Sequence, residues 1–286
     1  MTASILDQHV LARPCFDRYG LVVAIADERP VGFVHAGFGP TEDFSAISPQ
    51  QGATCMLIVA PHPQQPRIEE ELLVQSEDYL RRQGAGTLYG GEIFPLNPFY
   101  LGLYGGSELP GVLASDHRRR DLLERSGYAV VDRCLVLERS LSEFRPPVDR
   151  RQLQARRQYS VAELPHPPAA NWWEACTLAR QEFSRFELRP REGGAACGWL
   201  ASWDMQPLAT SWGVHAAGLA GVTILPEYRR QGLGTHLVAE ALRQLQACGV
   251  GLVEVQTMAD NTAALGLYRK LGFAEVDQGL VYRKGC

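Results

Sequence analysis

The hydrophobic and polar positions of this chain run through the same order of patterns twice. LVVAIA (21–26), a polar turn and VGFVHAGF (31–38) alternate in the way of a β-hairpin. RFEL (185–188), a turn-rich RPREGG and AACGWLASW (195–203) repeat that design. An apolar strand ending in proline follows each hairpin, CMLIVAP (55–61) and LAGVTILP (219–226). A helical pattern comes next, IEEELLVQSEDYLRRQG (68–84) in the first half and THLVAEALRQLQACG (235–249) in the second. In the second, Leu237, Val238, Ala241, Leu242 and Leu245 fall on one face at helical spacing. Each helix is expected to stop at its glycine. A strand follows, GTLYGG (86–91) or GLVEVQT (251–257), and each half closes with a helix, a Gly-aromatic pair and a last strand (121–138 and 264–283).

A tandem duplication explains this order better than chance. The two copies differ by an apolar insertion, IFPLNPFYLGLYGGSELPGVL (93–113), which is either core or a substrate-facing wall, with core or an interface between the halves the expectation. Between the copies, residues 145–170 hold five prolines, five arginines and few apolar positions, a poor core segment. We therefore expect a first domain over 1–144, a connector over 145–168 and a second domain over 169–286. A single strand near 158–163 fits inside the connector.

Composition narrows the class. At 286 residues, with 45% hydrophobic and 21% charged positions, the chain reads as a soluble globular protein of about two domains. The net charge of −4 argues against a nucleic-acid partner. No apolar run is long enough for a membrane helix, and the start lacks a basic region followed by an apolar stretch, so no membrane partner and no signal peptide are expected. The seven cysteines are scattered, with no C-x-x-C pair, which disfavours a disulfide framework or a zinc cluster and fits a cytoplasmic location. Cys286 is expected to be the most exposed of them.

The stretch with chemical content is VTILPEYRRQGLGT (222–235). A strand ends at Pro226, an arginine-bearing loop follows, and two glycines precede a helix. The free N–H groups of a helix start, together with the helix dipole, form an anion site. Glycines let a diphosphate approach the main chain. A dinucleotide fingerprint would need a third glycine where Leu237 stands, and a Walker loop would need a G-K-[ST] that is absent. From the loop alone, a solvated turn with a helix cap reads equally well.

Residues 261–273, NTAALGLYRKLGF, complete a pattern N-x-x-A-x-x-L-Y-x-K-L-G-F. With the loop, they resemble the GNAT superfamily of N-acetyltransferases over residues 170–284. The resemblance implies an α/β fold of two tandem GNAT-like domains. Each would be a mixed, mostly antiparallel sheet flanked by helices, with a splayed wedge between its fourth and fifth strands. It implies acetyl-CoA as acyl donor, no metal, and a primary amine of a small molecule or peptide as acceptor, attacked directly in a ternary complex. Arg229, Arg230, Gln231, Gly232, Leu233, Gly234 and Thr235 would wrap the pyrophosphate. Val222, Thr223 and Ile224 would pair with the pantetheine arm, and Asn261 would hydrogen-bond the cofactor. Tyr268 would sit near the sulfur as general acid, since a thiol near 8.5 and a phenol near 10 are roughly matched.

The general base is open. The strand before the loop has no carboxylate. Gln256 stands where some protein N-terminal acetyltransferases carry a glutamate; Glu254, Asp204, His215 and a water chain are alternatives. A non-catalytic acyl-CoA-binding sensor is the alternative function. The first half departs from the pattern, with no glycine in HPQQPRIEE after Pro61, Leu123 matching Tyr268 and Asp116 matching Asn261. It reads as a degenerate, non-catalytic copy.

Overall fold

The structure is a computed structural model that describes residues 2–96, 99–104, 106–178, 181–205 and 212–285; Cys286 lies outside them. In chain order the elements of the first half are α1 (Ala3–Leu6), β1 (Leu21–Ala26), β2 (Arg29–Pro40), β3 (Ile47–Val59), α2 (Gln65–Arg82), β4 (Thr87–Gly90), β5 (Glu92–Ile93), β6 (Pro110–Leu113), α3 (His117–Arg125) and β7 (Ala129–Ser140). The second half holds α4 (Arg150–Gln158), β8 (Tyr159–Pro165), α5 (Trp172–Leu178), β9 (Phe183–Pro190), β10 (Gly198–Asp204), β11 (Ala216–Ile224), α6 (Leu233–Ala247), β12 (Leu252–Met258), α7 (Thr262–Lys270) and β13 (Ala274–Gly285). The stretch read as a connector thus contains α4, capped by the Asp149 carboxylate on the Gln152 N–H, and β8, which pairs with β9 as an edge strand.

All of this hangs on one 13-stranded mixed sheet, whose main path runs β1-β2-β3-β4-β13-β7-β12-β11-β10-β9-β8. Its centre shows an exchange. β7, from the first half, pairs antiparallel with β12 of the second, Ser140 opposite Leu252. β13, from the second half, pairs with β4 of the first, Gly90 opposite Tyr282. β7 and β13 then pair with each other. The cores follow the strands. Leu135 and Leu137 of β7 lie among Leu237, Leu242, Val253 and Leu265, while Leu280 and Tyr282 of β13 lie among Leu73, Leu88 and Leu122. Burying an aliphatic side chain of this size is worth roughly 1.5–3 kcal/mol, so each half stabilises the other through its last strand.

The apolar insertion also crosses the boundary. Leu101 and Leu109 pack with Trp203, Met205 and Ala216 of the second half. Gly218 on β11 makes the close approach possible, because a Cβ there would lie 2.6 Å from Trp203 Nε1 and 2.9 Å from Ser107 Cβ. Among the described cysteines, Cys15, Cys55, Cys134, Cys176, Cys197 and Cys248 are free thiols. No described helix is long and apolar enough to cross a membrane.

Candidate active site

β11 and β12 pair in parallel only from Ala216–Leu252 to Leu219–Val255. Beyond that point β11 stays with β10, out to Ile224 opposite Gly198, and leaves β12. The register with β10 shifts between Trp199 and Ala201, and Gly221, opposite this shift, has φ +62°. A bulge of this kind bends a strand. The edges of Val222–Ile224 and of Gln256–Met258 therefore face a gap that widens toward the ends of the strands.

The loop after β11 leads into α6 through a one-turn 3-10 segment, Pro226–Tyr228, with Arg230 and Gly232 at positive φ (+62° and +80°). The helix starts at Leu233, two residues before the position the apolar spacing suggests, because Gly232 in the left-handed region serves as its N-cap. No side chain caps this helix, and its first turn holds no acidic residue. Its first N–H groups are left for an anion. Side chains brace the loop from behind. Arg229 Nε donates to the Ile224 carbonyl at 2.9 Å, Gln231 Nε2 to the Glu227 carbonyl at 3.2 Å, and Gln152 Nε2 of α4 to the Gly232 carbonyl at 3.2 Å. Leu233 and Thr235 have buried side chains, so they offer the loop only their main chain. Gly234 sits where an added Cβ would lie 3.0 Å from Leu267 Cδ1 of α7.

Asn261 caps α7. Its Oδ1 accepts from the Ala264 N–H at 3.2 Å, and the residue is exposed. Two turns on, Tyr268 is 4% exposed, its ring 5.5 Å from that of Phe273. Val222 and Ile224 pack against the same cluster. Burial, with a smaller push from the Glu108 charge, holds the Tyr268 phenol well above the ordinary tyrosine range. The match with a thiol expected from unperturbed values thus does not hold at this burial. The phenol is a firm hydrogen-bond donor and a weak proton donor.

The opposite face of β12 carries Glu254 and Gln256, met by the first half's insertion. Glu254 is 3% exposed, and its Oε1 accepts from the Ser107 N–H (2.7 Å), the Ser107 hydroxyl (2.9 Å) and Gln256 Nε2 (3.2 Å). Gln256 Nε2 also donates to the Glu108 carbonyl at 3.2 Å, and Trp203 Nε1 donates to the Ser107 carbonyl at 2.9 Å. The Glu108 carboxyl lies against the Gln256 backbone N–H and is only half-buried in accessible surface. Desolvation, then the charge of Glu254, push it up to about 8. Glu108 escaped the sequence reading. The one signal for it was a lone carboxylate in an otherwise apolar insertion.

Asp204 and His215 sit elsewhere. They pair with each other at 3.2 Å beside a cavity of about 210 Å³ at the other end of β11. No group of three or more described His, Cys, Asp or Glu side chains is placed to hold a metal.

A mixed sheet with one parallel pair parted by a bulge, then a glycine turn and an uncapped helix, occurs here beside a second, altered copy. That defines the class, a tandem α/β protein with two strand-wedge domains. Residues 151–273 match the model of the Acetyltransferase (GNAT) family. Over 130 residues, 43% of this chain and 39% of the relative, the sequence is 41% identical to a mycothiol acetyltransferase of Pseudarthrobacter chlorophenolicus. Over 59 residues, 21% of this chain and 40% of the relative, it is 39% identical to the [ribosomal protein bS18]-alanine N-acetyltransferase of Escherichia coli. The chain spans about two fifths of the length of these relatives. Two solved structures share the whole fold, each over 99% of this chain at 16% identity. One is the glucosamine N-acetyltransferase region of a fungal multi-domain β-N-acetylglucosaminidase (TM-score 0.72, 35% of that chain). The other is a tandem GNAT protein from the clavulanic acid biosynthesis pathway (TM-score 0.64, 88% of that chain).

Proposed function

We propose that this protein transfers an acetyl group from acetyl-CoA to a primary amine of a small molecule or peptide, by direct attack in a ternary complex, with the chemistry in the second half. The observation that carries this reading is the combination of the β11–β12 gap with the uncapped start of α6 at Gly232. Main-chain N–H groups of Gly232–Thr235, with Arg229, Arg230 and Gln231 around them, hold the diphosphate. The free edge of Val222–Ile224 pairs with the pantetheine amides and lays the thioester into the gap. Asn261 spends Oδ1 on its helix, so its Nδ2 is the atom left to meet the donor.

Tyr268 approaches from the α7 side. Its phenol stays protonated at any ordinary pH and donates to the sulfur as charge builds there, which lowers the barrier to C–S cleavage. The relatives named for mycothiol and for a ribosomal protein's alanine, and the negative charge of this chain, favour a cationic amine as acceptor. The test is free-thiol release by the purified protein from acetyl-CoA over a panel of amines (an alanine-starting peptide, glucosamine, a polyamine), beside calorimetry of acetyl-CoA binding. Binding with turnover on at least one amine is expected. Binding without turnover on any would replace the enzyme with an acyl-CoA sensor, and no binding would remove the site.

A further inference from the structure

A protonated amine has to lose its proton before its nitrogen can attack a thioester, and of the two strands that border the gap β11 carries no carboxylate and β12 carries only Glu254. Glu254 is buried, and three donors hold its Oε1. Glu138 lies opposite Glu254 on β7, one strand farther from the gap. Gln256, the next inward side chain of β12, is an amide.

The carboxylate that does reach the gap comes from the other half. We propose that Glu108, on the first half's insertion, takes the proton from the acceptor amine, so that the two copies together build one catalytic centre. This deepens the acetyl-transfer reading and rests on it.

The placement is fixed by contacts on both sides of the residue. Ser107 is held by Glu254 and by Trp203 Nε1, and the Glu108 carbonyl is held by Gln256 Nε2. Gly106, at φ +85°, leaves no room for a Cβ, which would meet the Glu254 carboxylate. Glu108 is half-buried as a residue, although its carboxyl is desolvated. It lies at Gln256, beyond the last β11–β12 pair, and near enough to Tyr268 for its charge to act on the phenol. Base and acid thus stand on opposite faces of the sheet and meet through the gap between its strands.

In the proposed step, the ammonium gives one proton to the Glu108 carboxylate and the freed nitrogen pair forms the C–N bond at the thioester carbonyl. The C–S bond then breaks, its electron pair going to sulfur, which the Tyr268 hydroxyl stabilises. The amide nitrogen's second excess proton leaves with the sulfur as thiol, and Glu108 returns its own proton to solvent. Beyond desolvation, its titration is set by the charge of Glu254, which raises it, and the Gln256 backbone N–H, which lowers it, both on β12; Cys134 on β7 and Tyr268 on α7 face it and are raised by its charge.

The test compares wild type, Glu108→Gln and Glu108→Asp by thiol release with the best amine of the panel from pH 6 to 9.5, and by calorimetry with acetyl-CoA. Wild-type kcat/KM should climb as Glu108 ionises near pH 8. Glu108→Gln should lose roughly 100-fold in kcat and the inflection with it, with acetyl-CoA affinity and Tm held. Glu108→Asp should recover part of the rate and keep an inflection. A Glu108→Gln variant within about threefold of wild type, or one that keeps the inflection, overturns the proposal and leaves acetyl transfer standing. An equal loss of rate in Glu108→Asp together with weakened acetyl-CoA binding also overturns it, since that marks a packing role. A wild type that binds acetyl-CoA and acetylates nothing overturns both readings.

Discussion

The two wedges of this molecule start from one plan and end differently. In the first half, β3 and β4 pair in parallel only from Gln51–Thr87 to Thr54–Gly90, then part as β11 and β12 do. The gap there is a cavity of about 300 Å³ lined by Met56–Val59, Tyr104 and Arg119, among others. Side chains occupy its strand edge. Arg119, 9% exposed, donates to the Leu57 carbonyl at 3.0 Å with its guanidinium 4.7 Å from the centre of the Tyr104 ring. Gln65 Nε2 donates to the Val59 carbonyl at 3.1 Å. The helix caps align the two copies. Asp116 Oδ1 accepts from the Arg119 N–H as Asn261 Oδ1 accepts from the Ala264 N–H, so Ala264 is the counterpart of Arg119. A methyl group stands in the second half where the first has a guanidinium. The helix after the first gap also carries Pro66 as its second residue, which has no N–H to offer. The difference teaches that a copy can keep its sheet and close its site by filling the gap from within.

The sharpest way to break this contrast is at the cradle. Gly232→Asp places a carboxylate where the diphosphate goes and should weaken acetyl-CoA binding at least about 100-fold, about 2.7 kcal/mol. Gln64→Asp, at the matching cap of α2, should leave affinity untouched. Calorimetry on both reads the result, and equal affinities in the Gly232 variant would remove the cradle. Next comes the acid. Tyr268→Phe should lower kcat roughly 10–100-fold with KM little changed, while Leu123→Tyr in the first half adds no activity. A Tyr268→Phe enzyme as fast as wild type would mean another donor meets the sulfur.

A smaller effect is expected from exchanging the plug. Ala264→Arg should cost about tenfold in acetyl-CoA affinity, roughly 1.4 kcal/mol. Arg119→Ala should leave the stoichiometry at one donor per chain, since the first half still lacks the glycine cradle, and should lower stability by about 1–3 kcal/mol as buried acceptors lose their partner. Two donors bound by Arg119→Ala would show that the plug alone silenced the first half.

Legibility followed sequence distance. The loop 229–235 and the α7 motif are local, and their glycines, cap and spacing predict elements that form within a residue or two of where they were placed. The degenerate loop after Pro61 was equally plain. The exchange of β7 and β13 was not, because each carries the apolar pattern of a closing strand and nothing local says which edge it joins. Glu108 was missed for the same reason. Its meaning depends on Gly218, Trp203 and Glu254, about 100 residues or more away in the chain. The α6 boundary moved because a glycine at positive φ can cap a helix that periodicity alone starts later.

The crossed strands bear on how the chain comes off the ribosome. β4 is made before the whole of the second half, yet its neighbour β13 follows every other strand of that half, and β12 is flanked by a strand made long before it. The first copy therefore waits through synthesis of the second with an open, pairing-competent edge, the kind of surface that invites association between nascent chains. The sheet is complete only when β13 has joined β4 and β7, so an early stop that removes β13 leaves both of those strand edges unpaired.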